Sequence, residues 1–257
     1  MKYLIASDLH FEFQKNCGAS LLKMLPKDVD GIIVAGDVST GKGNTLDVSL
    51  DMLCGEYEAV IYTLGNHDLY DSSPQKVFDQ MVNIDDMHKN LYWMNRSILE
   101  LGGIRFVGCS MWFPHVLDWY KKSKYISDFR CIEGYTPWVF EENKKDMAFL
   151  RETVTTDSIV VTHHMPSNKC VSPEFEGSTL NCFFVCPGGQ EIIDNNKPRA
   201  WVYGHTHSMW QYMDGNSLVC ACPFGYPGEN EYVPHVLHIQ DDLIEMKPYI
   251  GDDDGEG

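Results

Sequence analysis

Short apolar runs, each broken off at a carboxylate, amide or imidazole, recur along the chain. In residues 30–38, Asp-Gly-Ile-Ile-Val-Ala-Gly-Asp-Val, four consecutive apolar residues suit a strand buried on both faces and run straight into Gly36-Asp37. Residues 3–7 end in Asp8-Leu9-His10 and 60–64 in Gly65-Asn66-His67-Asp68. Residues 159–162 end in His163-His164, and 201–203 in Gly204-His205-Thr206-His207. Strand ends favour Gly, Pro, Ser and Asn with no preference for imidazole, so folding alone does not explain five such endings. Ligands brought to one edge of a sheet do explain them, because open α/β folds place their sites there.

Between these strands the apolar spacing turns helical. A first helix is expected over 17–25, with Leu21, Leu22 and Leu25 on one side and Pro26 at its end. Others are expected over 45–53, 74–87 with Pro74 at its start, 141–154, and 188–195. A further strand is expected over 103–113, and alternating strands over 218–222, 233–239 and 243–246 form an antiparallel closing section. The pattern predicts an α/β protein with one domain over 1–250. Residues 114–137 form an irregular, aromatic and locally basic segment, and 168–187 an excursion loop over the site.

Composition bounds this picture. Of 257 residues, 44% are apolar and 12% aromatic, enough for one large core. The start of the chain reads as a strand with no basic or apolar leader, and no apolar run approaches membrane-spanning length. The expectation is a cytoplasmic protein without membrane association. A net charge of −17 argues against general affinity for nucleic-acid backbones. Part of that charge lies in residues 251–257, expected to be a solvated, disordered acidic tail. The nine cysteines lack regular spacing and are expected to be reduced thiols, not a disulfide framework or a zinc site.

The strand-end residues carry the chemistry. Asp8, His10, Asp37, Asn66, His163, His205 and His207 offer nitrogen and oxygen donors and no sulfur, which suits Mn²⁺, Fe or Zn²⁺. Seven donors are too many for one tetrahedral ion with an open position, and they fit two divalent ions sharing a carboxylate. Asp8/His10 and His205/His207 are spaced by two, so extended backbone points each pair the same way. His163 and His164 are adjacent, so only one should face the cluster. In Gly65-Asn66-His67-Asp68, the amide can ligate, the imidazole can act as acid or base, and the carboxylate can orient it. Residues 39–44 contain Gly-Lys without the spacing or following hydroxyl of a nucleotide loop. Arg130, in the basic stretch, could grip a phosphate.

The ordered set Asp8-x-His10, Gly36-Asp37, Gly65-Asn66-His67-Asp68, His163 and Gly204-His205-x-His207 resembles the five-block signature of calcineurin-like metallophosphoesterases. Residues 222–229, Cys-Pro-Phe-Gly-Tyr-Pro-Gly-Glu, resemble a segment of its bacterial and phage branch, where Asn-Pro-Arg-Gly-Tyr is often seen. Here Cys222 and Phe224 replace the Asn and the Arg. The resemblance implies a four-layer α/β/β/α sandwich of two mixed β-sheets flanked by helices. It also implies one ion on Asp8, His10 and His207, a second on Asn66, His163 and His205, and Asp37 bridging them. His67 would contact the substrate as general acid, with Asp68 orienting it.

Two divalent ions about 3.5–4 Å apart acidify a shared water and coordinate a phosphoryl oxygen, so the expected reaction is hydrolysis of a phosphate ester by metal-bound hydroxide. A small phosphorylated substrate, foremost a phosphodiester such as a nucleotide, is expected. A phosphomonoesterase, including a Ser/Thr phosphoprotein phosphatase, and a non-catalytic metal-binding scaffold are the alternatives.

Overall fold

Two sheets of six strands divide the apolar positions into three cores, as the alternation along each strand requires. The computed structural model describes residues 1–250 apart from Asn230 and Asp242, and the tail expected at 251–257 lies outside the described residues. In chain order the strands are β1 Lys2–Ala6, β2 Gly31–Ala35, β3 Val60–Thr63, β4 Leu91–Trp93, β5 Ser97–Leu101 and β6 Ile104–Gly108. They continue as β7 Ser158–Val161, β8 Ala200–Val202, β9 Trp210–Asp214, β10 Ser217–Ala221, β11 His235–Ile239 and β12 Ile244–Pro248. The helices are α1 Ala19–Leu22, α2 Thr45–Glu56, α3 Pro74–Met87, α4 Trp119–Ser123, α5 Asp128–Cys131, α6 Tyr135–Thr153 and α7 Gly188–Asn196.

One sheet runs β12-β11-β1-β2-β3-β4 and the other β5-β6-β7-β8-β10-β9. In the first, β1 to β4 are parallel and β11 and β12 antiparallel. In the second, β6, β7, β8 and β10 are parallel and the edges β5 and β9 antiparallel. Tyr3, Ile5, Ile33, Ala35 and Ile61 face Phe106, Ile159, Val161, Ala200 and Val202 in the core between the sheets. The intervening residues Leu4, Ala6, Ile32 and Val34 point the other way, onto Leu46, Leu50, Leu53, Val77 and Met81 of α2 and α3. Val160, Trp201 and Val219 likewise meet Met147, Leu150, Ile192 and Ile193 of α6 and α7. This is the four-layer sandwich of two mixed sheets flanked by helices. The family resemblance implied this architecture, whereas the apolar runs by themselves predicted only an α/β protein.

Several elements differ from expectation. Only Ala19–Leu22 of residues 17–25 is α-helical, because Asn16, Cys17 and Gly18 take positive φ. Strand β6 stops at Gly108, and 109–113 leaves the sheet toward the helical layer, with Trp112 and Phe113 in the first core. Helix α6 starts at Tyr135 rather than 141. Strands β4, β5 and β9 went unread: β4 is short, and β5 and β9 are edge strands without a fully buried face, with apolar Ile98 and Met213 on their exposed sides. None of the nine cysteines is disulfide-bonded. Among the described residues no helix is long and apolar enough to cross a membrane.

Arg96, at φ 53° between β4 and β5, ties the sheet to α6 by donating at 2.7 Å to both Glu142 and Asp146. Asp146 also accepts the Met111 backbone N–H at 3.0 Å, fixing the chain where it leaves β6. Burial pushes the Asp146 carboxyl up to about 6 although Arg96 opposes the shift. Arg96→Met leaves the buried Asp146 carboxylate without its cation, while Glu142 keeps Lys145 at 2.6 Å. It is expected to destabilise the fold by about 3 kcal/mol, the low end for breaking a buried pair because Arg96 is itself part-exposed. Urea unfolding monitored by tryptophan fluorescence checks this.

Candidate metal centre

The ends of β1, β2 and β3 in one sheet and of β7 and β8 in the other meet at one edge, and every expected donor lies there. Among the described residues, side chains come together as three groups with donor atoms within 4.8 Å of one another: Asp8/His10/His207 and Asp37/His163/His205, which hold expected donors only, and His10/Glu12/His67. The backbone that achieves this is not the extended one expected. Asp8, His10, Asp37, His205 and His207 have φ of 52°, 44°, 57°, 65° and 48°, in the left-handed region. Such conformations cost about 1–3 kcal/mol each and persist only where the surroundings impose them. The imposing contacts are visible. The Asp8 and His10 amides donate to the carbonyls of Gly36 and Asp37, at 3.0 and 3.1 Å. The His205 amide donates to both oxygens of the Asp8 carboxylate at 3.1 Å.

Close approach explains the glycines of these turns. A Cβ at Gly36, which has φ 87°, would lie 2.2 Å from His163 Nδ1. A Cβ at Gly65 would lie 2.1 Å from Asp37 Oδ1. Both turns therefore have room for the ligands only if they lack side chains.

Hydrogen bonds fix which imidazole nitrogens are lone pairs. His163 Nδ1–H donates to the Ala35 carbonyl at 2.8 Å, leaving Nε2 bare at 2.9 Å from Asn66 Oδ1 and 3.5 Å from Asp37 Oδ2. Asn66 presents its oxygen because its Nδ2 donates to Asp128 Oδ1 at 2.9 Å. His10 Nδ1–H donates to Glu12 at 3.3 Å and His207 Nδ1–H to Glu229 at 2.8 Å, so their Nε2 lone pairs meet at 3.2 Å. Lone pairs set this close repel unless a cation lies among them, and carboxylate or carbonyl partners on the far nitrogens are the usual support of ligating histidines. The residues present fit divalent cations. Burial, and then the charges of Asp68 and Asp8, raises the Asp37 carboxyl well above its ordinary range, a strain that cations would relieve. Burial lowers the His163 imidazole to about 4, which keeps it neutral and able to ligate.

Of the adjacent pair, His163 enters the cluster and His164 turns away to donate from Nδ1 to Ser110 O at 3.4 Å. His67 stacks on Tyr70 at 4.0 Å with its Nε2 3.1 Å from the Tyr226 hydroxyl, in a cleft of about 300 Å³ that also exposes Asp37, Asn66, His205 and His207.

Two expectations need correction. Asp68 does not orient His67: its buried carboxylate accepts the backbone N–H groups of Asp37, Val38, Ser39 and Gly65 at 2.7–3.1 Å. The carboxylate beside His67 is Glu12, whose Oε1 lies 3.5 Å from His67 Nδ1 and also takes the His10 proton. Arg130 does not face the cleft. It is exposed, donating at 2.8 Å to the Lys124 carbonyl and at 3.4 Å to the Ser127 hydroxyl. The segment 114–137 does supply a wall, through Tyr125 to Asp128 and not through its cations.

Sequence reasoning missed Glu12, Asp128, Tyr226 and Glu229 as parts of the site. Asp128 accepts from Asn66, Tyr70 and Tyr135 together, at 2.9, 2.6 and 3.2 Å. The segment 222–229 delivers Tyr226 and Glu229 because Phe224 and Gly225 amides donate to Ser7 and Asp8 carbonyls at 3.0 and 2.9 Å. Phe224, standing where the bacterial and phage pattern has Arg, packs on Tyr232 at 5.0 Å. The available signal was the carboxylate two residues after His10 and the anomalous Cys-Pro-Phe-Gly-Tyr run.

Known proteins resemble this chain in sequence or in fold. An uncharacterised protein, L509, of Acanthamoeba polyphaga mimivirus is 25% identical over 279 residues, covering 93% of this chain and 96% of its own. Phosphopantetheinyl hydrolase from Mycobacterium tuberculosis has a similar fold, with a TM-score of 0.69 at 17% identity over 89% of this chain and 90% of its own. TT1561 of Thermus thermophilus gives 0.61 at 14% identity over 96% and 98%. The family model described as calcineurin-like phosphoesterase matches residues 1–209, the span that contains all five strand-end blocks. On that match, the chain belongs to the calcineurin-like phosphoesterase family and is a phosphoester hydrolase.

Proposed function

We propose that the chain hydrolyses small phosphodiesters at a centre of two divalent cations, Mn²⁺ foremost, with Fe or Zn²⁺ as alternatives. Asp8, His10 and His207 would hold one, Asn66, His163 and His205 the other, and Asp37 both. The observation that carries the reading is the convergence of imidazole nitrogens and carboxylate oxygens in two adjacent clusters, His10 Nε2 and His207 Nε2 being 3.2 Å apart. The chemistry such ions supply when bound is an acidified water as nucleophile and neutralisation of charge on the phosphoryl oxygens.

This chain's own residues do the rest. His67 opens its Nε2 into the cleft, where it protonates the departing oxygen. Glu12, 3.5 Å behind Nδ1, orients the ring so that Nε2 faces the cleft. Hydrogen bonds with His10 and His67 hold the Glu12 carboxyl below its usual range even though burial, the largest single influence, pushes it up. Tyr70 and Tyr226 fix the plane of the His67 ring. The diester preference rests on charge: the described residues lining the cleft include Asp128 and Glu229 and no Lys or Arg. A monoester dianion asks for such a cation more than a diester monoanion does.

Chelator-stripped protein resupplied with Mn²⁺ should hydrolyse a chromogenic phosphodiester faster than the matching monoester. Metal-dependent turnover of neither ester would instead support a scaffold. Asp37→Asn should remove turnover and lower metal content below two ions per chain by atomic emission; full activity with two ions would refute the shared role. His67→Ala should keep its metal and lose about 10²–10⁴-fold in kcat, more for alkoxide than for nitrophenolate leaving groups. Glu12→Gln should cost about 10–100-fold in activity or metal affinity, read from titration of Mn²⁺ against rate.

A further inference from the structure

Beside the catalytic cleft lies a second, apolar pocket of about 160 Å³, lined by Met165, Val171, Phe175, Leu180 and Phe184 and bounded by His205 and Thr206. It shares Phe175, Phe184, His205 and Thr206 with the cleft, so the two spaces are continuous. Residues 168–187 form most of its wall. The polar side chains that the loop itself contributes bond within the loop. Asn181 Nδ2 donates to the Phe175 carbonyl at 2.9 Å, the Ser172 hydroxyl to Glu174 at 3.4 Å, and Ser178 Oγ accepts the Leu180 amide at 3.3 Å. Recognition there is by shape and desolvation. The volume is roughly that at which an apolar cavity holds one benzene-sized ring.

Position says which part of a substrate reaches it. His67, Tyr70 and Tyr226 border the cleft and not the pocket, whereas the pocket opens at His205, whose ring stacks on Phe184 at 4.6 Å. A departing group protonated by His67 therefore lies away from the pocket, and the ester group that stays on phosphorus lies toward it. We infer that the pocket is a subsite for the retained substituent of a phosphodiester, and that this substituent is an uncharged apolar or aryl group. The inference rests on the phosphodiesterase reading above. In the reaction, water oxygen bonds to phosphorus, the bond from phosphorus to the departing oxygen breaks, and that oxygen takes a proton. The product is a phosphomonoester of the apolar group.

Benzyl p-nitrophenyl phosphate and methyl p-nitrophenyl phosphate share a leaving group and differ only in the retained alkyl ester. With the Mn²⁺-loaded full chain, kcat/KM should favour the benzyl ester by about tenfold or more, the scale expected for filling an apolar specificity pocket. Val171→Trp, which fills the pocket, and Leu180→Asp, which charges it, should erase the preference and leave methyl ester turnover within about twofold. Equal kcat/KM for the two esters in the unmodified chain would overturn the subsite while leaving the phosphodiesterase reading intact, whether or not either variant folds. A benzyl preference that survives in a variant still active on the methyl ester would overturn it as well. Turnover of neither ester would overturn the phosphodiesterase reading itself.

Discussion

The Asp68 carboxylate is the contact on which the site depends. Fully buried, it takes four backbone N–H groups, three from the turn after β2 and one from the turn after β3. Those turns carry Asp37 and Asn66, so one side chain sets the spacing between the donors of neighbouring strands. Burial pushes the carboxyl up to about 6, with the amide donors opposing the shift. Four N–H groups are also what makes a buried anion tolerable at all, since each lowers the cost of desolvation. A neutral amide here would place an NH₂ against backbone donors, loosening both turns at once.

From that anchor the remaining constraints follow outward. Asp37, held at its amide by Asp68, turns its own Oδ1 back to accept the His67 N–H at 2.7 Å, so the bridging candidate and the acid candidate share one local lock. Glu12 then joins His67 to His10, and Glu229 joins His207 to the Tyr226 turn. His10, His163 and His207 each have a carboxylate or carbonyl at Nδ1, which turns Nε2 inward as a matter of hydrogen-bond accounting. Asp128 does the same for an amide, turning Asn66 so that its oxygen points at the cluster.

The sequence was legible where a residue's neighbours determine its direction, and opaque where distant chain does. Strands buried on both faces announce themselves as apolar runs, so β1, β2, β3, β7 and β8 and the donors at their ends could be read directly. The grouping of Asp8, His10 and His207, and of His163 with His205, is likewise what the blocks implied. Asp68 was misassigned because it adjoins His67. In the tight turn His67–Leu69 successive side chains diverge by about a third of a revolution, so adjacency in sequence works against contact. Glu12 reaches His67 only because Phe11–Phe13 makes a similar turn after β1. Asp128 and Tyr226 arrive from residues far along the chain, and no local period encodes them.

Arg130 shows the converse. A cation in a basic, aromatic stretch is the kind of residue expected to meet a phosphate, yet its guanidinium closes its own short segment by bonding Lys124 and Ser127. What that segment contributes is Asp128, a negative charge placed behind Asn66. The cleft thereby concentrates carboxylates, lone pairs and left-handed backbone, all unfavourable in the bare chain, at one edge of a sandwich whose cores lie away from them. That division is what lets the fold carry the strain: the sheets are held by apolar burial that the site does not share, so donor geometry can be set for cations instead of for stability.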